Sequence, residues 1–177
     1  MKSLYHIDPA HSSANFSVRH MMIAKVHGGF EKVSGKFTYD PANLNDSTVE
    51  ATIDTATINT HESQRDAHLK SAEFFDVEKF PAITFKSESF KKQGDDILVA
   101  GLLTIKDTTK QVTLIMEVPS EEIKDPWGNV KIGISARTKI NRKDFGLTWN
   151  AALEAGGVLV GEDISIALDI QFAKSIE

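Results

Sequence analysis

Residues 58–85 read INTHESQRDAHLKSAEFFDVEKFPAITF, and they form the longest break in a chain that otherwise alternates apolar and polar side chains. The part from 62 to 73 lacks Gly, Pro, Val, Ile and Thr and is rich in strong helix formers, so it predicts an α-helix of roughly a dozen residues. Asn59 or Thr60 is the predicted N-cap. A helix this short is marginal alone in water, so we expect it to dock on a sheet through the pair Phe74–Phe75.

Outside this stretch, most of the chain alternates with a period of two, which is typical of half-buried β-strands. Clear examples are residues 14–20, 130–140 and 164–172, and polar turn signals such as Gln93–Asp96 separate the strands. Residues 97–105 are apolar on both faces, which predicts a strand covered outside as well as inside. The pattern gives roughly eight or nine antiparallel strands, a number that fits either a sandwich or a closed barrel.

Two phenylalanines predict an irregularity early in the sheet. Phe30 and Phe37 are separated by an odd number of positions, so a regular strand would turn their rings to opposite faces. We therefore expect a bulge near Gly35, which would shift the register and bring both rings to one side.

Length and charge narrow the class of protein. The 177 residues suffice for one domain with a substantial core, and residues 1–177 are interpreted as a single domain. The net charge of -5 disfavours nucleic-acid binding and disfavours attraction of the whole chain to anionic lipid. There is no cysteine, and no apolar run is long enough for a membrane span. With no signal peptide at the start, the expected compartment is the cytoplasm; a leader removed beforehand would make it periplasmic or exported.

No catalytic or metal-binding constellation is apparent. The pair His61–Glu62 begins like the helix of a zinc protease, but Arg65 stands where the second histidine is needed. Asp8, His11 and Ser12 could be drawn as a triad, yet without a nucleophile elbow they are better interpreted as turn formers. We therefore predict no catalytic residue, no metal site and no cofactor.

Four segments carry a resemblance to a known family. In chain order they are YHIDPAHSSANFSVRHMMIAKVHGGF (5–30), RDAHLKSAEFFDVEKFPAITFKS (65–87), GLLTIKDTTKQVTL (101–114) and INRKDFGL (140–147). They follow the order of the family, their match spans nearly the whole chain, and they resemble the bacterial YceI-like family of lipocalin-like lipid-binding proteins. The resemblance implies an all-β fold: an extended eight-stranded antiparallel lipocalin-like barrel with one short α-helix inserted mid-chain. It thereby favours the barrel over the sandwich.

The same resemblance implies a non-enzymatic protein that holds a long apolar ligand, of isoprenoid or quinone type, for transport, storage or sequestration. Burial of a methylene is worth about 0.8 kcal/mol, so a five-carbon isoprene unit gains roughly 3–4 kcal/mol over water. Outside the protein, however, the lipid would lie in a bilayer and not in water. Its transfer from the bilayer to the barrel therefore gains little free energy. Selectivity is therefore expected to come from polar groups at the mouth.

His20, Met21 and Met22 are the candidate entrance residues. On the alternation of its strand, His20 shares an apolar face with Phe16 and Val18. It is either a core histidine with a satisfied partner or a polar group at one end of a cavity, beside two adaptable methionines. The sequence leaves both interpretations open.

Arg65 is the second polar candidate. As a planar guanidinium it could bind a phosphate or carbonyl head group in a bidentate manner. Alternatively, Arg65 and Asp66 form hydrogen bonds that pin the helix to the barrel rim. The family resemblance implies Arg and Asp at these positions, which disfavours a simply exposed charge, and structural pinning is the preferred interpretation.

Aromatic residues supply most of the candidate ligand-contacting surface. The remaining predicted ligand-binding residues are Phe16, Phe37, Phe74, Phe75, Phe85, Leu103, Met116 and Ile134, with Phe74 and Phe75 near the entrance. Side chains of this kind either fill a core or line a tunnel, and the sequence does not distinguish the two. The alternative function is a structural or partner-binding barrel with a filled core, in which residues 97–105 form the face of a possible homodimer.

Overall fold

The computed structural model describes residues 1–154 and 156–176, and most of them lie in β-strands. In chain order the strands are β1 (Ser3–Ile7), β2 (Ser13–His20), β3 (Ala24–Phe30), β4 (Val33–Tyr39), β5 (Thr48–Asp54), β6 (Ile58–Asn59), β7 (Ala82–Gln93), β8 (Asp96–Ile105), β9 (Thr108–Glu117), β10 (Ile123–Lys124), β11 (Val130–Asn141) and β12 (Val160–Lys174). The α-helix of this described part, α1 (Ser63–Lys70), lies between β6 and β7. Short 3-10 helices span Pro9–His11, Leu44–Asp46, Thr55–Thr57 and Arg142–Phe145.

Eight of the strands close a ring in the order β1, β4, β5, β7, β8, β9, β11 and β12, with β12 pairing back to β1. All of these pairings are antiparallel. Strands β2, β3 and β6 lengthen the wall, because β2 pairs with β12 beyond β1, β3 pairs with β2, and β6 pairs with β3. The structure confirms the predicted all-β barrel with its inserted helix, and a closed ring excludes the sandwich.

The two ends of the barrel are built differently. Since neighbouring strands are antiparallel, successive connections alternate between the ends. One end, called the helix end below, carries α1, the turn between β2 and β3, and the described residues between β11 and β12, namely 142–154 and 156–159. The other, called the turn end, carries the connections after β4, β7 and β9.

The helix begins later than predicted because its N-cap is a different residue. The carboxylate of Glu62 accepts hydrogen bonds from two first-turn N–H groups at 3.1 and 2.6 Å. It therefore satisfies donors that a helix start otherwise leaves free. Asn59 accepts instead from the N–H of His61, and Thr60 bonds the side chain of Asp66. The prediction of an Asn59 or Thr60 cap is wrong.

The helix also ends earlier than predicted, at Lys70. Ser71 has extended backbone angles, and its N–H bonds the carbonyl of His68 in a tighter turn. The chain then folds back, and the N–H of Phe75 bonds the carbonyl of Leu69 at 3.0 Å. This return places the predicted anchors under the helix, with Phe74 buried in the core and the ring of Phe75 edge-on to a neighbouring phenylalanine at 5.7 Å.

The register change between Phe30 and Phe37 lies at Glu31–Lys32, which belongs to neither β3 nor β4. The prediction of a bulge at Gly35 is therefore wrong, since that residue pairs regularly within β4. Gly35 serves a different purpose: a Cβ there would lie 2.2 Å from the carbonyl oxygen of Glu50. Both phenylalanines are nevertheless buried in the interior, so the register does shift between them.

Aromatic rings fill the barrel towards the turn end. Phe37 is 1% exposed, and its ring centroid lies 5.1 Å from that of Tyr39 and 5.3 Å from that of Phe172. Phe90 and Tyr5 complete the group at 6.0 and 6.3 Å. Such offset and tilted contacts add to the stabilisation from burial alone. This end of the axis is therefore closed by packing.

The outer face of β8 is less covered than predicted. Ile97 and Val99 are buried on the inner face, as expected for a barrel strand. On the outer face Leu98 is half-buried, whereas Leu102 is 38% exposed. The prediction of a strand covered on both faces is therefore wrong at Leu102.

Candidate functional site

A cavity of about 230 Å³ lies inside the barrel. Residues from the inner faces of most strands line it, together with side chains from α1 and the segments that follow α1 and β11. Three of the wall residues have polar side chains, namely Asn15, Thr138 and Arg142, and the surface that faces the cavity is nonetheless apolar. The cavity is thus suited to a hydrocarbon group.

Eight of the residues predicted to contact a ligand lie on this wall: Phe16, Phe37, Phe74, Phe75, Phe85, Leu103, Met116 and Ile134. They span the axis, from Phe37 in the aromatic group of the turn end to Phe74 and Phe75 beneath the helix. Gly101 matters for this arrangement, because a Cβ there would lie 2.5 Å from the ring of Phe85. Because Gly101 has no side chain, the ring of Phe85 can lie against the wall at this position.

The three residues predicted for the entrance, His20, Met21 and Met22, lie at the helix end but not on the cavity wall. His20 ends β2 and is half-buried, while Met21 and Met22 form the turn to β3 and are exposed. In the described part of the chain, the cavity wall includes Phe16 and Val18 of the same strand but none of these three. Burial alternates along β2 as far as His20, so this residue lies on the same side of the strand as Phe16 and Val18 but beyond the cavity.

Arg65 faces the end of β6 instead of the cavity. Its Nε donates to the Thr60 side-chain oxygen at 2.8 Å, and a terminal nitrogen donates to the Thr60 carbonyl at 2.6 Å. Asp66 accepts from the N–H of the same threonine at 2.8 Å. Thr60 is buried, so these bonds tie the first turn of α1 to the wall. The arrangement matches the pinning interpretation.

Arg142 is a site residue that the sequence reasoning missed. The residue is 3% exposed, and its guanidinium donates to the carbonyls of Gly161, Leu147 and Trp149 at 2.7, 2.6 and 2.9 Å, and to that of Val160 at 3.3 Å. Burial lowers the pKa of Arg142, because it removes the charge from water.

A sequence signal for Arg142 did exist. The residue lies with Lys143 between the apolar positions Ile140 and Phe145, inside the segment INRKDFGL that carries the family resemblance. Both of those apolar neighbours are buried. A charged side chain between buried positions indicates a buried charge, and buried charges require partners.

Aromatic contacts join the helix to the segment 146–159 across the helix end. The ring of His68 lies 4.6 Å from Trp149 and 5.0 Å from Phe74, both nearly perpendicular. Glu73 bonds the same histidine through Nε2 at 2.5 Å. Leu69 and Leu147, next to these rings, line the cavity. The helix and this segment together cover the cavity at the helix end.

Asp8 has a structural role, in agreement with its interpretation as a turn former. Its carboxylate accepts from Lys131 at 2.8 Å, from the backbone of Ala10 at 3.1 Å, and contacts His11 at 3.0 Å. The hydrogen bond from Lys131, with that from His11, lowers the pKa of Asp8 to about 2. This ion pair fastens the end of β1 to β11.

Two features are absent from residues 1–154 and 156–176. No group of three or more His, Asp or Glu side chains is arranged to hold a metal ion. No helix is long and apolar enough to cross a membrane.

A closed antiparallel barrel around an apolar cavity defines a lipocalin-like barrel protein. Within that class, the chain belongs to the YceI-like family, because the family's YceI-like domain matches residues 5–172. Protein YceI of Salmonella newport (strain SL254) is 41% identical over 138 residues, which are 78% of this chain and 72% of that protein. The resemblance that the sequence motifs carried is confirmed.

Solved structures share the fold. A Campylobacter jejuni YceI protein matches with a TM-score of 0.71 and 30% identity over 90% of each chain. Burkholderia cenocepacia BcnA matches with a TM-score of 0.79 and 21% identity, over 93% of this chain and 98% of that one. A polyisoprenoid binding domain from Saccharophagus degradans matches with a TM-score of 0.69 and 14% identity, over 97% and 98%. At the two lower identities the likeness is one of fold.

Proposed function

We propose that this protein binds a long apolar lipid, of isoprenoid or quinone type, in the barrel cavity, for transport, storage or sequestration. The observation that carries the proposal is the cavity of about 230 Å³ with its apolar surface. The family and the shared fold of the Saccharophagus degradans polyisoprenoid binding domain support the same class of ligand. The role is one of binding, without a catalytic residue.

A void of this size is hard to explain as part of a core that only stabilises the fold. At about 24 cal/mol per Å³, an empty cavity of about 230 Å³ costs about 5–6 kcal/mol relative to a filled core. That is comparable to the whole stability of many domains, roughly 5–15 kcal/mol. Larger side chains at wall positions such as Ala14, Ala51 and Ala136 would remove the cost. The hollow interior therefore favours a ligand over the filled-core alternative.

The chemistry of the wall favours a hydrocarbon tail as the buried part of the ligand. An apolar cavity of about 150 Å³ stays dry and admits a benzene-sized molecule, so a larger one accommodates a segment of chain. The polar atoms of Thr138 and Arg142 already bond backbone carbonyls. The described residues leave no buried side-chain nitrogen or oxygen without a partner. We therefore do not place the head group of the ligand inside the barrel.

The two ends of the barrel suggest how the ligand is oriented. The aromatic group around Phe37 fills the turn end. The helix end is covered by side chains of α1 and of the segment 146–159, which contact each other through His68 and Trp149. In the proposal the tail enters at the helix end and the head group stays there, near the rim.

The test is native mass spectrometry of gently purified protein, followed by organic extraction. We expect an additional mass of lipid character that extraction removes. Reloading the extracted protein with a prenyl quinone should raise its thermal stability, because a ligand that binds only the folded state stabilises it. A bare polypeptide mass, with no stabilisation by any prenyl lipid, would support the filled-core alternative instead.

A further inference from the structure

The turn between β2 and β3 presents bulky apolar side chains to solvent at the helix end. Met21 is 42% exposed, Met22 62% and Ile23 78%. Val158, on the neighbouring segment, is 41% exposed. The two parts touch, because the N–H of Met21 bonds the carbonyl of Leu159 at 2.7 Å. These four apolar residues are called the tip patch below, and they form one continuous surface.

The backbone of the turn makes this exposure unusual. Met21 and Met22 have φ values of 52° and 62°, and the N–H of Ile23 bonds the carbonyl of His20 at 3.2 Å. Two successive residues with positive φ are what a type I′ hairpin turn requires, and Asn-Gly is its preferred sequence. A methionine in this region is disfavoured. The chain therefore keeps two large apolar residues where small polar ones would fold more easily, a pattern that points to a function.

The hairpin also has a charge pattern opposite to that of the whole protein. The chain carries 25 acidic residues and a net charge of -5, yet residues 9–30 contain no Asp or Glu. The same segment has two basic residues next to the turn, Arg19 and Lys25, and both are exposed. His20 and His27 lie on the same two strands. The tip patch is thus flanked by cations.

Acidic groups near the hairpin do not cancel this pattern. Gly161 of β12 packs against Arg19, and the carboxylate of the next residue, Glu162, is engaged by Lys143 at 2.8 Å. Among the described residues, two exposed acids remain nearby: Glu154 on the segment next to the tip patch, and Asp163 of β12, which precedes the Ile164 that pairs with Val18 of β2. Acids at the turn end act weakly here, because exposed charges further apart than about 8 Å are largely screened at physiological ionic strength.

We propose that the tip patch docks on a lipid bilayer that contains anionic lipid. In this pose Met22 and Ile23 insert among the acyl chains near the head groups, and Arg19 and Lys25 contact lipid phosphates. Apolar side chains with basic flanks are the combination that anchors proteins at membrane interfaces. The docking goes beyond the proposed cavity ligand and does not depend on it, although it would bring the helix end to the membrane from which a lipid is taken.

The bilayer is favoured over a second protein by size and charge. The patch consists of four apolar residues, whereas stable protein interfaces bury about 800 Å² on each partner with about 20–30 residues a side. A bilayer surface needs no matching interface of that size, and it offers both the hydrocarbon and the phosphates that the patch would contact.

The test is co-sedimentation of the full chain with vesicles of phosphatidylcholine alone and of phosphatidylcholine mixed with phosphatidylglycerol. We expect binding to the mixed vesicles that weakens as salt is added. The triple variant Met21→Asn/Met22→Gly/Ile23→Thr gives the turn its preferred Asn-Gly sequence, so it should fold at least as well as the parent. It should lose vesicle partitioning by about tenfold or more. Arg19→Gln/Lys25→Gln should lose about tenfold on the mixed vesicles only.

A matched control lies at the other end of the barrel. Trp127 is 84% exposed in the turn before β11, and Trp127→Ser should leave vesicle binding unchanged. The proposal is overturned if the parent binds neither vesicle, if the triple variant binds like the parent, or if Trp127→Ser loses as much. Self-association that disappears in the triple variant, without vesicle binding, would also overturn it and would identify the patch as a dimer contact. Native mass spectrometry of the same samples reports the cavity ligand separately, so failure of docking and failure of lipid binding are distinguishable.

Discussion

Arg65 donates hydrogen bonds to both oxygens of Thr60, to the hydroxyl at 2.8 Å and to the carbonyl at 2.6 Å. Thr60 follows β6 directly, so the contact joins the start of α1 to the barrel wall. One turn further along, Leu69 of the same helix lines the cavity. A pair of residues outside the cavity thus positions one that lies on its wall.

Arg65→Ala is expected to destabilise the protein by about 1–3 kcal/mol, because it leaves the buried Thr60 carbonyl without a strong donor. Thermal unfolding measures the effect. Arg137→Ala is the matched control, since that arginine is exposed on the outer face of β11 and should change stability little. Unchanged stability with weaker lipid retention would instead identify Arg65 as a head-group ligand.

Ala136→Phe is expected to remove bound lipid and leave the fold intact. Ala136 lies on the cavity wall, so the added ring occupies space that the ligand needs. Filling a void does not incur the strain of overpacking, and we expect stability to change by less than about 1.5 kcal/mol. Native mass spectrometry measures the bound lipid, and thermal unfolding measures the stability. Ala167→Phe, at an exposed position of β12, is the control and should keep the lipid. Lipid retained by Ala136→Phe would contradict the proposed binding mode.

Arg142→Met is expected to destabilise the protein by several kcal/mol. The substitution preserves an apolar stem but removes donors to four carbonyls in residues 147–161, and each buried acceptor left unpaired costs about 1–3 kcal/mol. The segment it holds should also open, so limited proteolysis should cut between residues 147 and 159 faster than in the parent. Lys143→Met, which removes an exposed cation, is the control. Equal proteolysis rates would show that Arg142 does not hold the segment.

Asp8 gives a pH-dependent prediction. Its pKa is lowered to about 2 in the fold from an ordinary 3.8, so its carboxylate stabilises the protein above that ordinary value. The contribution, about 1–2 kcal/mol, is lost as the pH falls through about 2. Asp8→Asn should therefore be less stable than the parent near neutral pH, and the two should converge in strong acid. Glu50→Gln, which breaks an exposed pair with Lys36, should change stability by less than about 1 kcal/mol.

Much of the fold was predictable from local pattern. The period-two alternation of residues such as 130–140 identifies strands because the side chains of a strand alternate between core and solvent. The helix was predictable for the same local reason, from its composition. Its ends were not, because the cap depends on which side chain reaches the free N–H groups, and Glu62 reaches them in place of Asn59 or Thr60.

The candidate site was predictable only in part. Inward-facing residues such as Phe85 and Met116 follow from alternation, and both lie on the wall. The positions of the predicted entrance residues His20, Met21 and Met22 could not be predicted from alternation, because alternation along β2 ends where the hairpin turns at Met21 and Met22. Arg142 was missed because its partners are carbonyls of a segment that only the folded chain brings around it.

By itself, the sequence determined that this chain forms many antiparallel strands interrupted by one helix, since alternation, turn residues and helix formers act over short distances. The choice of a barrel over a sandwich came from the family resemblance and not from these local patterns. Only the tertiary structure decided that the barrel is hollow. Free volume is the difference between the space that eight tilted strands enclose and the summed volume of side chains from all of them, and no local pattern contains that difference. The same holds for the tip patch, whose apolar side chains could have been buried by any neighbouring element.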